Sequence, residues 1–129
     1  MENMVKKIIF VIVLILIAAL LIAGIRLVFN PLTRSEDTIR QKMLSQFPVG
    51  THMDDIIQFA NHKKDWSDVK ISYINGYSID RGEEVGKKRI SVHIGEYQIF
   101  FVTDVEVFFG FNENSELIDI RVRKTIDSL

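Results

Sequence analysis

The N-terminal region contains an apolar run, Ile8–Ile25, in which no charged or strongly polar side chain occurs over eighteen residues. At 1.5 Å per residue, a helix of this length measures about 27 Å, close to the roughly 30 Å hydrocarbon thickness of a bilayer. Leu27–Phe29 extend the run past Arg26, whose long side chain can reach the membrane interface. The run predicts a tail and transmembrane anchor in residues 1–30, with the span at about 8–29.

A cleaved signal peptide is the main alternative, because Lys6-Lys7 precede the apolar run as basic residues do in such a peptide. The apolar core of a signal peptide is usually only about 7–15 residues long, and a small-x-small cleavage site follows it. Neither Ala19 nor Ala23 has a small residue two positions before it. We therefore expect an uncleaved single-pass anchor in the cell (inner or plasma) membrane, with the lipid bilayer as the partner of the N-terminal helix.

The basic residues give two opposite indications of orientation. The positive-inside rule mildly favours a cytoplasmic C-terminal domain, because more basic residues follow the span than precede it. Two precede it, Lys6 and Lys7, and four soon follow it, Arg26, Arg34, Arg40 and Lys42. A very short tail with a lysine pair before the first apolar run has instead the layout of an export signal. We expect an extracytoplasmic domain, and a C-terminal reporter active only in the cytoplasm would contradict this.

The charge and cysteine content of the remaining chain exclude several classes of function. Residues 1–30 hold three of the 16 basic and one of the 17 acidic residues, which leaves 13 against 16 and a net charge of about −3. This balance lacks the positive surface that nucleic-acid binding needs, so no nucleic-acid partner is expected. The absence of cysteine excludes a disulfide framework, a thiolate metal site, a cysteine nucleophile and a lipid-modified cysteine.

Two short amphipathic helices are predicted after Asn30-Pro31, where proline ends the first helix. Thr33-Arg34-Ser35-Glu36 fits a capping box with Thr33 as the N-cap, and Ile39, Met43 and Phe47 then recur at helical spacing. Pro48 and Gly50 end this helix, and Thr51 is the expected N-cap of the next one. The apolar face of that second helix comprises Met53, Ile56, Ile57 and Ala60, widened by Phe59.

After Trp66 the hydrophobic period changes from 3.6 to 2, which predicts strands. Val69, Ile71 and Tyr73 form the first, and a polar loop runs from Asn75 to Lys88. The later strand segments cover residues 90–94, 97–102, 105–111 and 118–122, with a bulge or turn at Gly95 and a hairpin turn at 112–116. The element order predicts an α+β domain in residues 31–129: two helices on one face of a 3–4-stranded antiparallel meander (ααβββ).

The segment Phe47-Pro48-Val49-Gly50-Thr51-His52-Met53-Asp54-Asp55-Ile56-Ile57, followed by Trp66 and a β-meander, resembles the BamE (SmpA/OmlA) and β-lactamase-inhibitor-protein-like architecture. The resemblance covers roughly residues 35–124 and rests on a short motif of glycine, small polar cap and apolar helix. It implies a small binding or assembly module without catalysis. The chain differs from the outer-membrane assembly lipoproteins, which carry a lipidated cysteine where this chain has a helix.

The chain contains no residue pattern that predicts catalysis, a cofactor or a metal site. Gly82–Lys88 has three residues between its glycines where a phosphate-binding loop needs four. His52 and His62 are ten residues apart, about 15 Å along a helix, too far to share a metal ion with the aspartates near His52. His93 is expected to be a surface or rim histidine. Asp104 and Glu106 share a strand face, as the alternation of any half-exposed strand would place them.

One aromatic residue lies outside the apolar alternation and marks a candidate partner-binding surface. If Val107 and Phe109 point to the helices, alternation places Phe108 on the opposite sheet face. There it would lie with three charged residues, Glu106, Arg121 and Arg123. An exposed aromatic residue beside arginines is typical of a protein interface. The alternative is that this face is covered by a loop, by the juxtamembrane segment or by another copy of the chain.

Together these features predict a membrane-anchored protein-binding or cell-envelope assembly module without catalytic activity. The alternative is an immunity or inhibitor protein that neutralises a toxin or an enzyme at the membrane. The neighbouring genes would separate the two, because a toxin gene favours immunity and envelope genes favour assembly.

The mature protein is expected to keep its N-terminus and to stay with membranes in carbonate or high salt, because the apolar run can span a bilayer. Membrane fractionation and N-terminal sequencing of the mature chain test this. A mature N-terminus within residues 19–30 would show that the run is a cleaved signal.

Overall fold

The apolar run forms part of one continuous helix, α1 (Glu2–Phe29), in the computed structural model of the protein, which describes residues 2–126. This helix is long and apolar enough to cross a membrane, and a signal sequence near an N-terminus has the same properties. It begins earlier than the predicted span and ends at the predicted break. Pro31–Thr33 form a short 3-10 turn there, in which the Thr33 hydroxyl donates to the Asn30 carbonyl oxygen at 2.7 Å.

The chain divides into two compact units, the first ending at Thr33 and the second beginning at Arg34. The second unit is the α+β domain that the sequence predicts, although residues 127–129 of that prediction lie outside the described residues. Its elements are α2 (Glu36–Gln46), α3 (Met53–His62), β1 (Ser67–Ser72), β2 (Tyr77–Ser78), β3 (Glu84–Val85), β4 (Lys88–Gln98), β5 (Val102–Phe111) and β6 (Leu117–Ile126). Four strands form an antiparallel sheet in the order β1-β4-β5-β6, and β2 and β3 form a separate ribbon.

The core lies between the helices and one face of the four-stranded sheet. An aromatic cluster joins the two layers: the Phe47 ring lies 5.1 Å from that of Phe59 and 5.8 Å from that of Phe109, with Trp66 beside them. The other buried side chains on this side include Ile39, Met53, Ile56 and Ala60 from the helices and Ile90, Val92, Val105, Val107, Ile120 and Val122 from the sheet. The predicted core faces of both helices and of β5 are confirmed.

The N-caps of both helices lie later in the chain than predicted, by two residues for α2 and by one for α3. Ser35, not Thr33, caps α2, since its Oγ accepts a hydrogen bond from the Thr38 amide at 3.1 Å. His52, not Thr51, caps α3, because the Thr51 hydroxyl donates to the Pro48 carbonyl oxygen at 2.6 Å. The chain before α3 is also held by the β5–β6 turn through three backbone hydrogen bonds: Gly50 N to Leu117 O, Leu117 N to Thr51 O and Met53 N to Ser115 O. His52 is extended beside these tertiary bonds, and the helix begins after it at Met53.

Three register shifts interrupt the sheet, one of them between Ser67 and Lys70 where β1 pairs with β4. The bulge predicted at Gly95 is confirmed, where the pairing of β4 with β5 shifts between His93 and Gly95. The third shift, between β5 and β6, places Leu117, not Ile118, in the core. Simple alternation with Ile120 predicts that Ile118 points to the core. Ile118 is exposed instead, because it is the extra residue of the bulge and its side chain turns away from the core.

The polar loop predicted between Asn75 and Lys88 contains the β2–β3 ribbon, which packs on the sheet face that carries no helix. Tyr77 is only 2% exposed and lies against Gly110, where a Cβ atom would approach the Tyr77 ring to 2.9 Å. Two-residue strands are too short for an alternating pattern, so this ribbon has no recognisable signature in the sequence.

Helix α2 covers the outer edge of the sheet at β6. The Arg40 Nε donates to the Ile120 carbonyl oxygen at 2.8 Å, and the Arg40 Nη2 donates to Asp119 Oδ1 at 2.6 Å. The Lys124 amide donates to a Glu36 carboxylate oxygen at 3.4 Å. Arg40 and Glu36 thus form hydrogen bonds with backbone groups of the edge strand β6 that could otherwise pair with another chain.

Residues 31–129 produced alone are expected to fold, and Phe109→Ala is expected to lower their unfolding free energy by about 3–5 kcal/mol because it leaves a core cavity. The matched control is Ile74→Ala, an 84% exposed position, where the change is expected to stay within about 0.5 kcal/mol. Urea denaturation followed by circular dichroism measures both. A random-coil spectrum for the fragment, or equal losses in the two variants, would contradict this account of the core.

Candidate functional site

The sheet face opposite the helices, here called the open face, brings together the four residues of the predicted partner-binding surface. In the strand register, Phe108 lies between Ser91 and Arg121. Glu106 lies beside Phe108 on the same strand and is paired with Arg123 of β6. The fully buried Phe109 points to the helices, so its neighbour Phe108 points away from them.

Phe108 is half-buried, which differs from the expected exposed anchor. The Tyr77 ring of the ribbon lies 6.2 Å from the Phe108 ring, and the Arg123 guanidinium carbon lies 5.2 Å from the centre of that ring. The aromatic surface is thus covered on one side by the ribbon and above by a cation, an arrangement favoured by the negative ring face. The alternative that a loop covers this face is therefore correct for the end near Tyr77, where the ribbon lies on the sheet.

The two arginines of the predicted surface have different surroundings. Arg121 joins the sheet to the ribbon: its Nη1 donates to the Ser78 carbonyl oxygen at 2.9 Å, and its Nη2 lies 3.5 Å from Asp80 Oδ1. Arg123 forms an ion pair with Glu106 at 3.2 Å, and 52% of the Arg123 side chain is exposed. Arg123 is therefore the most accessible charged residue of the surface, whereas Arg121 holds the ribbon in place.

The open face continues from Glu106 and Arg123 into a hydrogen-bonded histidine. His93 Nε2 lies 3.0 Å from Asp104 Oδ1, and His93 Nδ1 lies 3.3 Å from the Ser67 hydroxyl. The side chain is about one quarter exposed, so His93 is a rim histidine, as expected. Ligand atoms of His93, Asp104 and Glu96 lie within 4.8 Å of one another, a group of the kind that can hold a divalent cation. The three residues come from β4 and β5, and the bulge in β4 lies between His93 and Glu96. Sequence spacing alone does not predict such a group.

The remaining candidates from the sequence are placed apart and have local roles. His52 caps the start of α3, and His62 at its far end lies 2.7 Å from the Gln58 carbonyl oxygen, so the two do not share a site. The glycine-rich loop is part of the ribbon, where the Glu84 carboxylate accepts a hydrogen bond from the Gly76 amide at 2.6 Å.

A groove of about 420 Å³ lies between α2, β6 and the ribbon, beside Tyr77. Its charged lining includes Asp37, Arg40, Asp119 and Arg121. Burial, reinforced by the charge of Asp119, raises the pKa of the Tyr77 hydroxyl to about 12. Tyr77 is therefore protonated at neutral pH, like an ordinary tyrosine, and stays so to a higher pH.

Comparisons of the chain with protein-family models, with curated proteins and with solved structures found no match. The resemblance to the BamE-like architecture stays a prediction. What can be said about function rests on the geometry of the described residues.

The domain is expected to lose stability between pH 10 and pH 12 partly through Tyr77. The hydroxyl ionises near pH 10 in an unfolded chain and near pH 12 in the folded one. The stabilisation is therefore complete below pH 10 and is lost as the pH rises toward 12. Tyr77→Phe should lose roughly 2 kcal/mol less than the wild type over this window, measured by urea denaturation at successive pH values. Parallel losses in the two proteins would contradict the burial of this hydroxyl.

Proposed function

We propose that the protein is a single-span membrane protein whose extracytoplasmic domain binds a protein partner as an envelope-assembly module, without catalysis. The observation that carries the proposal is the exposure of α1. None of its apolar window is buried inside the protein. An apolar surface of this extent is far larger than the patches that soluble proteins leave in water, which supports a lipid environment for α1.

The accessible end of the open face is the proposed partner-binding surface. Arg123 lies over the half-buried Phe108 and beside Glu106, with both charged side chains open to solvent. Arginine and aromatic residues are enriched at the energetic centres of protein interfaces. The carboxylates here are also paired, Glu106 with Arg123 and Asp104 with His93. Charged groups arranged in this way can set the register and orientation of a partner with complementary charge.

The immunity or inhibitor function predicts the same surface with a different partner. If the bound protein is a toxin or an enzyme whose activity falls in the complex, the protein acts as a neutraliser. If the bound protein is a component of the envelope, it acts in assembly.

The test starts from the full chain, tagged and solubilised from membranes, with its partner identified by mass spectrometry. The affinity for the purified partner is then compared between the wild type and two variants. Arg123→Ala should weaken binding by about 2 kcal/mol, the size of an interface hot spot. The matched control is Lys64→Ala, an exposed basic residue just beyond α3, which should bind like the wild type.

An Arg123→Ala variant that binds as tightly as the wild type would refute the open face as the binding surface. Phe108→Ala is a poorer probe, because the ring also contacts Tyr77 and its loss would disturb the ribbon.

A further inference from the structure

The turn between β4 and β5 consists of three large apolar residues, Ile99, Phe100 and Phe101, here called the apolar tip. They are 53%, 83% and 50% exposed. They connect the paired residues Gln98 and Val102. Hairpin turns of this length normally carry glycine, asparagine or aspartate, because these residues adopt the tight backbone angles and are well solvated. Neither the core nor the open face accounts for three adjacent apolar side chains at this position.

The chain segment that contains the apolar tip is uncharged as well. No charged residue occurs from Tyr97 to Thr103, and the nearest charges along the chain are Glu96 and Asp104. Ile126, paired with Thr103 across the sheet, is 64% exposed. Single exposed apolar residues are common on protein surfaces, but a contiguous group indicates a surface that contacts another apolar phase.

The apolar tip lies at the same end of the domain as Arg34, the residue with which the domain begins. Lys124 Nζ donates a hydrogen bond to the Arg34 carbonyl oxygen and lies 3.2 Å from the Tyr97 hydroxyl. Tyr97 is paired with Thr103 near the end of the β4–β5 hairpin. The point where the chain enters the domain is therefore only a few strand residues away from the apolar tip.

This position matters because α1 is the membrane anchor in the proposed function, on which the present inference rests. Arg34 follows Phe29, the last residue of α1, by only five positions in the chain. Even a fully extended chain of five residues spans at most about 18 Å. The end of the domain that carries Arg34 is thus tethered close to the bilayer surface, and the apolar tip is tethered with it.

We propose that the apolar tip inserts into the headgroup–acyl boundary of the bilayer that holds α1, as a second contact between the protein and lipid. Phenylalanine and isoleucine side chains partition favourably into this region. Together with α1, the apolar tip fixes the orientation of the domain on the membrane. The β4–β5 hairpin then points toward the lipid, and the open face is held to the side, accessible to a partner in the same membrane.

The absence of native cysteine makes a single labelled position possible in the full chain. A Phe100→Cys variant carrying an environment-sensitive NBD fluorophore is reconstituted into phosphatidylcholine–phosphatidylglycerol vesicles. Quenching is measured with doxyl-labelled lipid and, separately, with aqueous iodide. The matched control is Ile74→Cys, because Ile74 is nearly as exposed as Phe100, at 84% against 83%, and follows β1 at the opposite end of the sheet.

The label at position 100 is expected to show blue-shifted emission, strong quenching by doxyl lipid and weak quenching by iodide, with the reverse at position 74. Quenching of position 100 by iodide alone would overturn the proposal, and so would protection from both quenchers, which would indicate a protein surface or a second copy over the tip. Carbonate extraction of the same vesicles distinguishes the two levels of failure. A protein that is released refutes the anchor and the inserted tip together, whereas a retained protein with an iodide-quenched label refutes the tip alone.

Discussion

The alternation of side chains along β5 is the constraint on which the rest of the domain depends. Successive residues of a strand point to opposite faces, so one ten-residue strand contributes to both the core and the open face. Phe109 packs against the aromatic cluster of the helices, and Phe108 lies in the row of charged residues on the other side. A shift of one residue would exchange these two rings, expose the core and bury ionised groups.

The β2–β3 ribbon divides the open face into a covered and an accessible part. Tyr77 lies over Gly110, and Arg121 ties the ribbon to the sheet through Ser78 and Asp80. The covered part is consequently structural, although two of its residues, Phe108 and Arg121, have the composition of an interface. The accessible part lies farther along the strands, where Arg123 and Glu106 are followed by His93 and Asp104. This division directs the proposed partner to one half of the sheet.

The two ends of the sheet also differ in character. At one end α2 begins, β6 is held by side chains of the helix, and the chain arrives from the N-terminal unit. At the other end, β1 is followed by the exposed Tyr73 and Ile74 and then by the ribbon. The apolar tip belongs to the first end, where the chain enters the domain at Arg34. The inferred orientation at the membrane follows from this asymmetry together with the short connection to α1.

Periodicity and composition within short segments were enough to predict the apolar helix, the two helices before the sheet, the α+β class and the face to which Phe109 points. The β2–β3 ribbon with its buried Tyr77, the turn at residues 99–101 inside the predicted strand 97–102, the cap residues Ser35 and His52 and the outward turn of Ile118 were visible only in the folded domain. Each of these depends on hydrogen bonds, bulges or contacts between residues far apart in the chain, to which local patterns are insensitive. For the same reason, the sequence grouped the four open-face residues correctly but could not distinguish Arg121, held by the ribbon, from Arg123, which remains accessible.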